Sequence, residues 1–192
     1  MPRTKTFDEV EILDKTTNLF WQQGYNGTAP QAILDETGLS RSSLYDTYGD
    51  KRSLFLQCLQ HYRDRDTAFV IRFLDRAEDT GAAIRLIFES AWEHVRNSRQ
   101  RKGCLMVNTL NELAPHDPEV AAIVQENRQA LEDAFTRAVR RGQQQGSISK
   151  HQQPRALARY LQNCLWGLTT NLKLGIDKKI AADIVKVTLS VL

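Results

Sequence analysis

The sequence is short of the features that announce catalysis, metal binding or a membrane. Its three cysteines, Cys58, Cys104 and Cys164, are odd in number and lack metal-ligand spacing, so neither a disulfide framework nor a zinc site is expected. No stretch reaches the roughly 18 consecutive apolar residues of a membrane span. The start, MPRTKTFDEVE, has no apolar signal core, and a cytoplasmic protein with no membrane partner is expected. A glycine-rich phosphate loop and an H-E-x-x-H pair are both missing, and His61, His94, His116 and His151 fall on separate segments. No catalytic residue, metal or cofactor is therefore assigned, and an enzyme is not expected. Strand-type alternation is missing as well. What is there, in 192 residues of which 41% are hydrophobic, is helical periodicity throughout: an all-α protein of about nine helices.

The most informative stretch runs from Thr28 to Phe55. Thr28 is read as the N-cap of a helix starting at Ala29, with Pro30 tolerated in the first turn and Ala32 and Ile33 facing inward. Gly38 supplies the left-handed residue of a tight turn. Ser40 then caps a second short helix, Arg41 to Tyr48, with Leu44 inward and Arg41, Ser42, Ser43, Tyr45, Asp46 and Thr47 outward. A helix this short and this rich in hydrogen-bonding groups suits a DNA major groove. Gly49 and Asp50 end it and cap a third helix from Lys51, whose Leu54, Phe55, Cys58, Leu59 and Tyr62 fall at helical spacing. The first helix, roughly Asp8 to Gln23, carries Val10, Leu13, Thr17 and Phe20 as an apolar stripe that braces the other two.

The ordered set of residues from Phe7 to about Tyr62 resembles the N-terminal domain of the TetR family of one-component transcriptional regulators. It comprises Phe20-Trp21-Gln22-Gln23-Gly24-Tyr25, Thr28, Ile33, Thr37-Gly38-Leu39-Ser40, Ser43-Leu44-Tyr45, Tyr48-Gly49-Asp50-Lys51 and Leu54-Phe55. Thr47 departs from the aromatic or histidine often found there, and Tyr48 from the more frequent phenylalanine. The resemblance implies an all-helical DNA-binding domain over residues 6–66, with its helix-turn-helix at 29–48, and an effector-sensing and dimerisation domain over 67–192. It also implies a homodimeric repressor on a palindromic double-stranded DNA operator, released by a small-molecule effector of unknown identity or by thiol modification. Base reading falls to Arg41, Ser42, Ser43 and Tyr45, with Asp46 as an acceptor from cytosine. Thr28, Thr47, Tyr48 and Lys51 are assigned to phosphates by the resemblance. A helical ligand-binding protein without DNA binding and a Cys104-dependent thiol enzyme remain as alternatives.

The net charge of +3 hides a DNA-binding region that is not basic: residues 1–65 hold eight Lys/Arg against nine Asp/Glu. Phosphate neutralisation then rests on local placement, with Arg3 and Lys5 in an arm, Arg41 on the reading helix, and Lys51 and Arg52 at the next helix start. A modest salt dependence follows.

Beyond Tyr62 the helical pattern runs on through Phe69, Ile71 and Phe73 until Asp79-Thr80-Gly81. After a helix to Asn97 and a basic stretch comes a short apolar helix ended by Pro115. Asp117 and Pro118 then start a long one carrying Val120, Val124, Asn127, Leu131, Ala134 and Ala138, with a break expected over Gly142 to Ser149. The last two helices carry Leu157, Leu161, Leu165, Leu168 and Leu172, and then Ile180, Ile184, Val187 and Val191. The default reading is core; the resemblance implies a four-helix dimer interface from at least one face, and all of these but Val191 are assigned to it. For the effector, Cys104, Trp92, Met106, Asn108 and Trp166 are the candidate residues, suited to an apolar or aromatic ligand. Gly103-Cys104-Leu105 resembles a subset of the family with a thiol near the sensor region. Arg99, Arg101, Lys102 and a helix start are expected to lower that thiol's pKa.

Overall fold

The computed structural model describes residues 7–97 and 102–192, the side chains of 92–97 excepted. Every described element is helical: α1 (Glu9–Gly27), α2 (Pro30–Thr37), α3 (Arg41–Tyr48), α4 (Lys51–Tyr62), α5 (Ala68–Arg76), α6 (Thr80–Asn97), α7 (Leu105–Glu112), α8 (Pro118–Gln145), α9 (Pro154–Leu174) and α10 (Lys178–Leu189). A π turn, Arg63–Thr67, joins α4 to α5 without a break. With those two counted as one rod, the expected nine helices are found among the described residues. None of these helices is long and apolar enough to cross a membrane.

Two apolar clusters hold the chain together. The first gathers Phe20, Ile33, Leu44, Tyr48, Leu54, Phe55 and Leu59 from α1–α4, and also takes in Leu105 and Met106 of α7 and Val120 and Val124 of α8. The expected boundary at residue 66 therefore lies inside the π turn, and the core of the head reaches past it. The ring of Phe20 meets Phe55 edge-on at 4.9 Å, a geometry that adds to the gain from burial alone. The second cluster packs Phe88, Phe135, Val139, Leu161, Leu168 and Leu172 between α6, α8 and α9.

Several local expectations change. The stripe of α1 is rotated: Ile12, Thr16, Thr17, Leu19 and Phe20 are buried, whereas Val10 is 58% exposed. Thr28 is not a cap. Ala29 occupies the N-cap of α2, and the Thr28 hydroxyl donates to the Gly24 carbonyl at 2.6 Å. α8 runs on through Gly142 and ends at Gln145, inside the span where the break is expected. A Cβ on Gly142 would stand 2.5 Å from Ile148 Cδ1 and 2.6 Å from Thr80 Oγ1, so glycine is required there for close packing.

Glu132 is 1% exposed and accepts from Arg128 at 2.8 Å and Arg159 at 3.1 Å. Burial by itself raises its carboxyl, but the two guanidiniums override it and hold the pKa below the usual glutamate value. A folded-state pKa below the unfolded one stabilises at neutral pH, and that stabilisation is lost as pH falls through the folded value. Urea midpoints are expected to fall on acidification below the ordinary carboxylate range, and less steeply in Glu132→Gln. Parallel pH profiles for the two proteins would contradict this.

Candidate functional site

The reading surface is built by short-range capping. Gly38 takes φ 71° at the end of α2, and the Ser40 hydroxyl accepts the Ser43 N–H at 3.1 Å to start α3. Ser40 Oγ also lies 3.0 Å from Ser42 Oγ and 2.9 Å from Ser43 Oγ, so the hydroxyls at this helix start form one local network. Leu44 and Tyr48 are buried, which presents Arg41, Ser42 and Asp46 to solvent, with Ser43, Tyr45 and Thr47 half-buried beside them. Tyr48, expected at a phosphate, is only 3% exposed and packs in the head core, and Thr28 is fully buried. Both are corrected to structural residues, since a buried hydroxyl cannot reach a DNA backbone.

The cations of the head are mostly spent. Lys15 pairs with Glu11 and Arg63 with Glu126, and Arg65 pairs with Asp14 and Asp66. Arg52, expected at phosphate, grips Asp117 with two hydrogen bonds of 2.9 Å and Glu119 with one of 2.8 Å. These bonds raise the guanidinium's pKa and lower that of Asp117. Arg52 therefore ties α4 to the start of α8. Arg41 makes no ion pair or hydrogen bond among the described residues. Lys51 makes no close ion pair among them, although the Glu112 carboxylate attracts it, and its ammonium lies 4.3 Å from the centroid of the Tyr25 ring. Arg3 and Lys5 lie outside the described residues.

A second tie runs from α7. The Glu112 carboxylate accepts the Tyr25 N–H at 3.0 Å and the Asn26 N–H at 2.7 Å, where α1 breaks at Gly24 with φ 76° and ψ 170°. Sequence reading missed this contact, as it missed the one from Arg52.

Between head and second cluster lies a cleft of about 850 Å³. Its walls are mainly apolar, with Phe69, Phe73, Leu86, Leu131, Leu165 and Trp166. Trp21 and Tyr62 also line it, edge-on at 5.1 Å, and the Trp21 indole N–H donates to the Gly103 carbonyl at 3.2 Å. Of the expected effector residues, Cys104 and Trp166 line this cleft. Met106 does not: it is fully buried in the head core. Nor does Asn108, whose amide donates to the Lys102 carbonyl and accepts from Lys173. The side chain of Trp92 lies outside the described residues.

The expected activation of Cys104 is also corrected. Burial pushes its thiol up, and the backbone N–H groups of Val107 and Met106 offset this only in part. Lys102 bonds Asn18 and lies 5.4 Å from the centroid of the Trp21 ring, away from a pairing role with sulfur. Arg99 and Arg101 lie outside the described residues. Because the thiolate is the reactive form, Cys104 is expected to alkylate at neutral pH more slowly than free cysteine. Site-resolved mass spectrometry of an iodoacetamide time course measures this, and a faster rate would contradict it.

The leucine stripe of α9 is corrected too. Leu157, Leu161, Leu168 and Leu172 are almost fully buried in the chain's own core, and Leu165 packs against that core and lines the cleft. On these last two helices the exposed large apolar residues are Tyr160 and Leu174 of α9, away from the leucine stripe, and Ile180 and Val187 of α10.

A helix-turn-helix head tied to a helical body with an internal cleft defines a one-component DNA-binding regulator. Residues 12–58 match the family model described as bacterial regulatory proteins, tetR family, and residues 81–187 match that of the tetracyclin repressor-like C-terminal domain. A Bacillus subtilis HTH-type transcriptional regulator, YezE, is 37% identical across the full length of both chains. The ComR repressor of Escherichia coli is 26% identical over 97% of this chain and 90% of its own. The chain belongs to the TetR family of transcriptional regulators. Solved structures agree on the fold: a CifR cysteine mutant in complex with operator DNA superposes with a TM-score of 0.84 at 24% identity over 98% of each chain. Reduced NemR of E. coli does so with 0.84 at 15% identity over 95% of each chain.

Proposed function

We propose that this regulator is a cytoplasmic, homodimeric repressor and not an enzyme, reading a palindromic operator through α3 and released when a small apolar or aromatic molecule enters the cleft. The observation that carries the reading is the α3 surface, where Arg41 stands free while the other arginines of the described head are engaged by carboxylates. Arg41, Ser42, Ser43, Tyr45 and Asp46 would face bases, and Thr47 and Lys51 phosphates. The head would span residues 6–66 and the sensor 67–192, with the ties from Glu112 and Arg52 crossing between them.

The dimer face is assigned to α10, through Ile180, Ile184 and Val187, and to the outward side of α9, through Tyr160, Gly167 and Leu174. A Cβ on Gly167 would meet nothing within 4 Å, which leaves room for a second copy to approach closely. Two weakly charged heads on one dimer gain from effective concentration what each lacks alone. Release by a bound molecule is favoured over thiol modification because the Cys104 thiol is pushed away from its reactive form.

Sedimentation velocity together with fluorescence anisotropy on the gene's own upstream DNA and on scrambled DNA tests this. A dimer that prefers the upstream DNA is expected. No preference on any fragment, with a tight small-molecule complex, would instead identify a helical ligand-binding protein.

A further inference from the structure

One polar side chain in the cleft uses only half of its hydrogen-bonding capacity within the chain. Asn127 lies on α8 in an otherwise apolar stripe and is 1% exposed. Its Oδ1 accepts the Thr67 hydroxyl at 2.8 Å, while its amide nitrogen, with two N–H donors, makes no hydrogen bond among the described residues. Asn127 and Thr67 both line the cleft. The amide nitrogen is not sealed from solvent, so its two donors are open to an acceptor that enters the cleft.

The charges around the cleft are placed differently. Arg65, Asp66, Arg72 and Glu89 all border it, two of each sign. Arg72, Glu89 and Arg65 are exposed, and Arg65 is already paired with Asp66 at 3.0 Å. None of these offers a desolvated, uncompensated charge to an ionic ligand, and rim charges are screened by solvent.

Resting on the reading of the cleft as the effector site, we infer that its ligand is a neutral, largely aromatic or apolar molecule carrying a carbonyl-type acceptor, which takes a hydrogen bond from the Asn127 amide. The same side chain then bonds the ligand with its nitrogen and Thr67 of the π turn with its oxygen. The body of the ligand rests against Trp21 of α1, Tyr62 of α4 and Trp166 of α9. Occupancy thus bears directly on the two head helices and on the turn joining head to sensor. π turns often sit at functional sites of this kind.

The test is a calorimetric titration of the full chain with benzophenone, with diphenylmethane, which replaces the carbonyl by a methylene, and with diphenylacetate, an anion. The readout is the ratio of ketone to hydrocarbon affinity, compared between the parent protein and Asn127→Leu, so that the differing hydrophobicity of the two probes cancels. That ratio is expected to drop about fivefold in the variant, the size of one neutral hydrogen bond. Asn127→Asp keeps the acceptor for Thr67 but has no donor when ionised, and is expected to lower the ratio as well if the leucine variant does not fold. An unchanged ratio in a folded variant, or a preference of the parent protein for diphenylacetate, overturns the inference while leaving the cleft a ligand site. Failure of benzophenone and diphenylmethane alike to bind a chain that still binds its DNA overturns the reading of the cleft, and the inference with it.

Discussion

Gly24→Ala is expected to lower the stability of the protein by about 2–4 kcal/mol, read as a drop in the urea midpoint. Gly24 holds φ 76° and ψ 170°, a region essentially confined to glycine that costs other residues about 1–3 kcal/mol. An added Cβ would also stand 2.8 Å from Glu112 Oε2, pushing away the carboxylate that accepts from Tyr25 and Asn26. Hydrogen bonds to a charged group contribute about 1.5–3 kcal/mol each when well shielded, and these are partly solvated. Glu112→Ala alone removes the acceptor without strain and is expected to cost less. The double variant should fall short of the sum, because both changes act on one contact. A loss under about 0.5 kcal/mol for Gly24→Ala, no more than an ordinary surface substitution, would show that α1 breaks elsewhere.

Arg41→Ala is expected to carry the largest effect on DNA. A bidentate guanine contact discriminates by about 1–3 kcal/mol, and a symmetric dimer makes it twice, so the operator should be weakened by about 2–6 kcal/mol. Scrambled DNA should lose far less, and discrimination should relax at one position of each half-site. Lys51→Ala is expected to weaken all DNA alike and to flatten the salt dependence, since a phosphate contact carries no sequence information. Anisotropy titrations on a panel of single-base operator variants separate the two. Equal losses on every sequence for both substitutions would contradict the division of labour.

The sequence made the helices legible wherever neighbours along the chain decide the structure. Gly38 and Ser40 set the turn and cap of α3, Asp50 the cap of α4, and Asp117 with Pro118 the start of α8, all from local chemistry. Contacts between distant segments were illegible. Arg52 looks like a phosphate ligand until Asp117, 65 positions on, is seen to occupy it. Nothing in the sequence announces that Glu112 closes the kink of α1 from 86 or 87 positions away. Periodicity also fails to say which neighbour an apolar stripe meets. The leucines of α9 face their own chain, and only the structure separates that face from the one bearing Tyr160, Gly167 and Leu174. Asn127 did leave a trace: a lone amide among Val120, Val124 and Leu131 is a polar group needing a partner, and only half of that need is met by Thr67.

The same long-range ties explain how a small head is held. Arg52 with Asp117 and Glu119, and Glu112 with the α1 kink, fix the head to the two helices whose first turns complete its core. Any effector that moves α7 or α8 must then move the head or break these contacts. Shifting such an equilibrium from 1:99 to 99:1 requires about 5.5 kcal/mol of preference for one state over the other.

Hydroxyl-radical footprinting of the gene's upstream DNA by the full-length protein tests the central claim most directly. Two protected half-sites on one face of the duplex, about one helical turn apart and both lost with Arg41→Ala, are what this account predicts. A single protected site, or uniform protection along the fragment that Arg41→Ala leaves unchanged, would contradict a dimer reading its operator through α3.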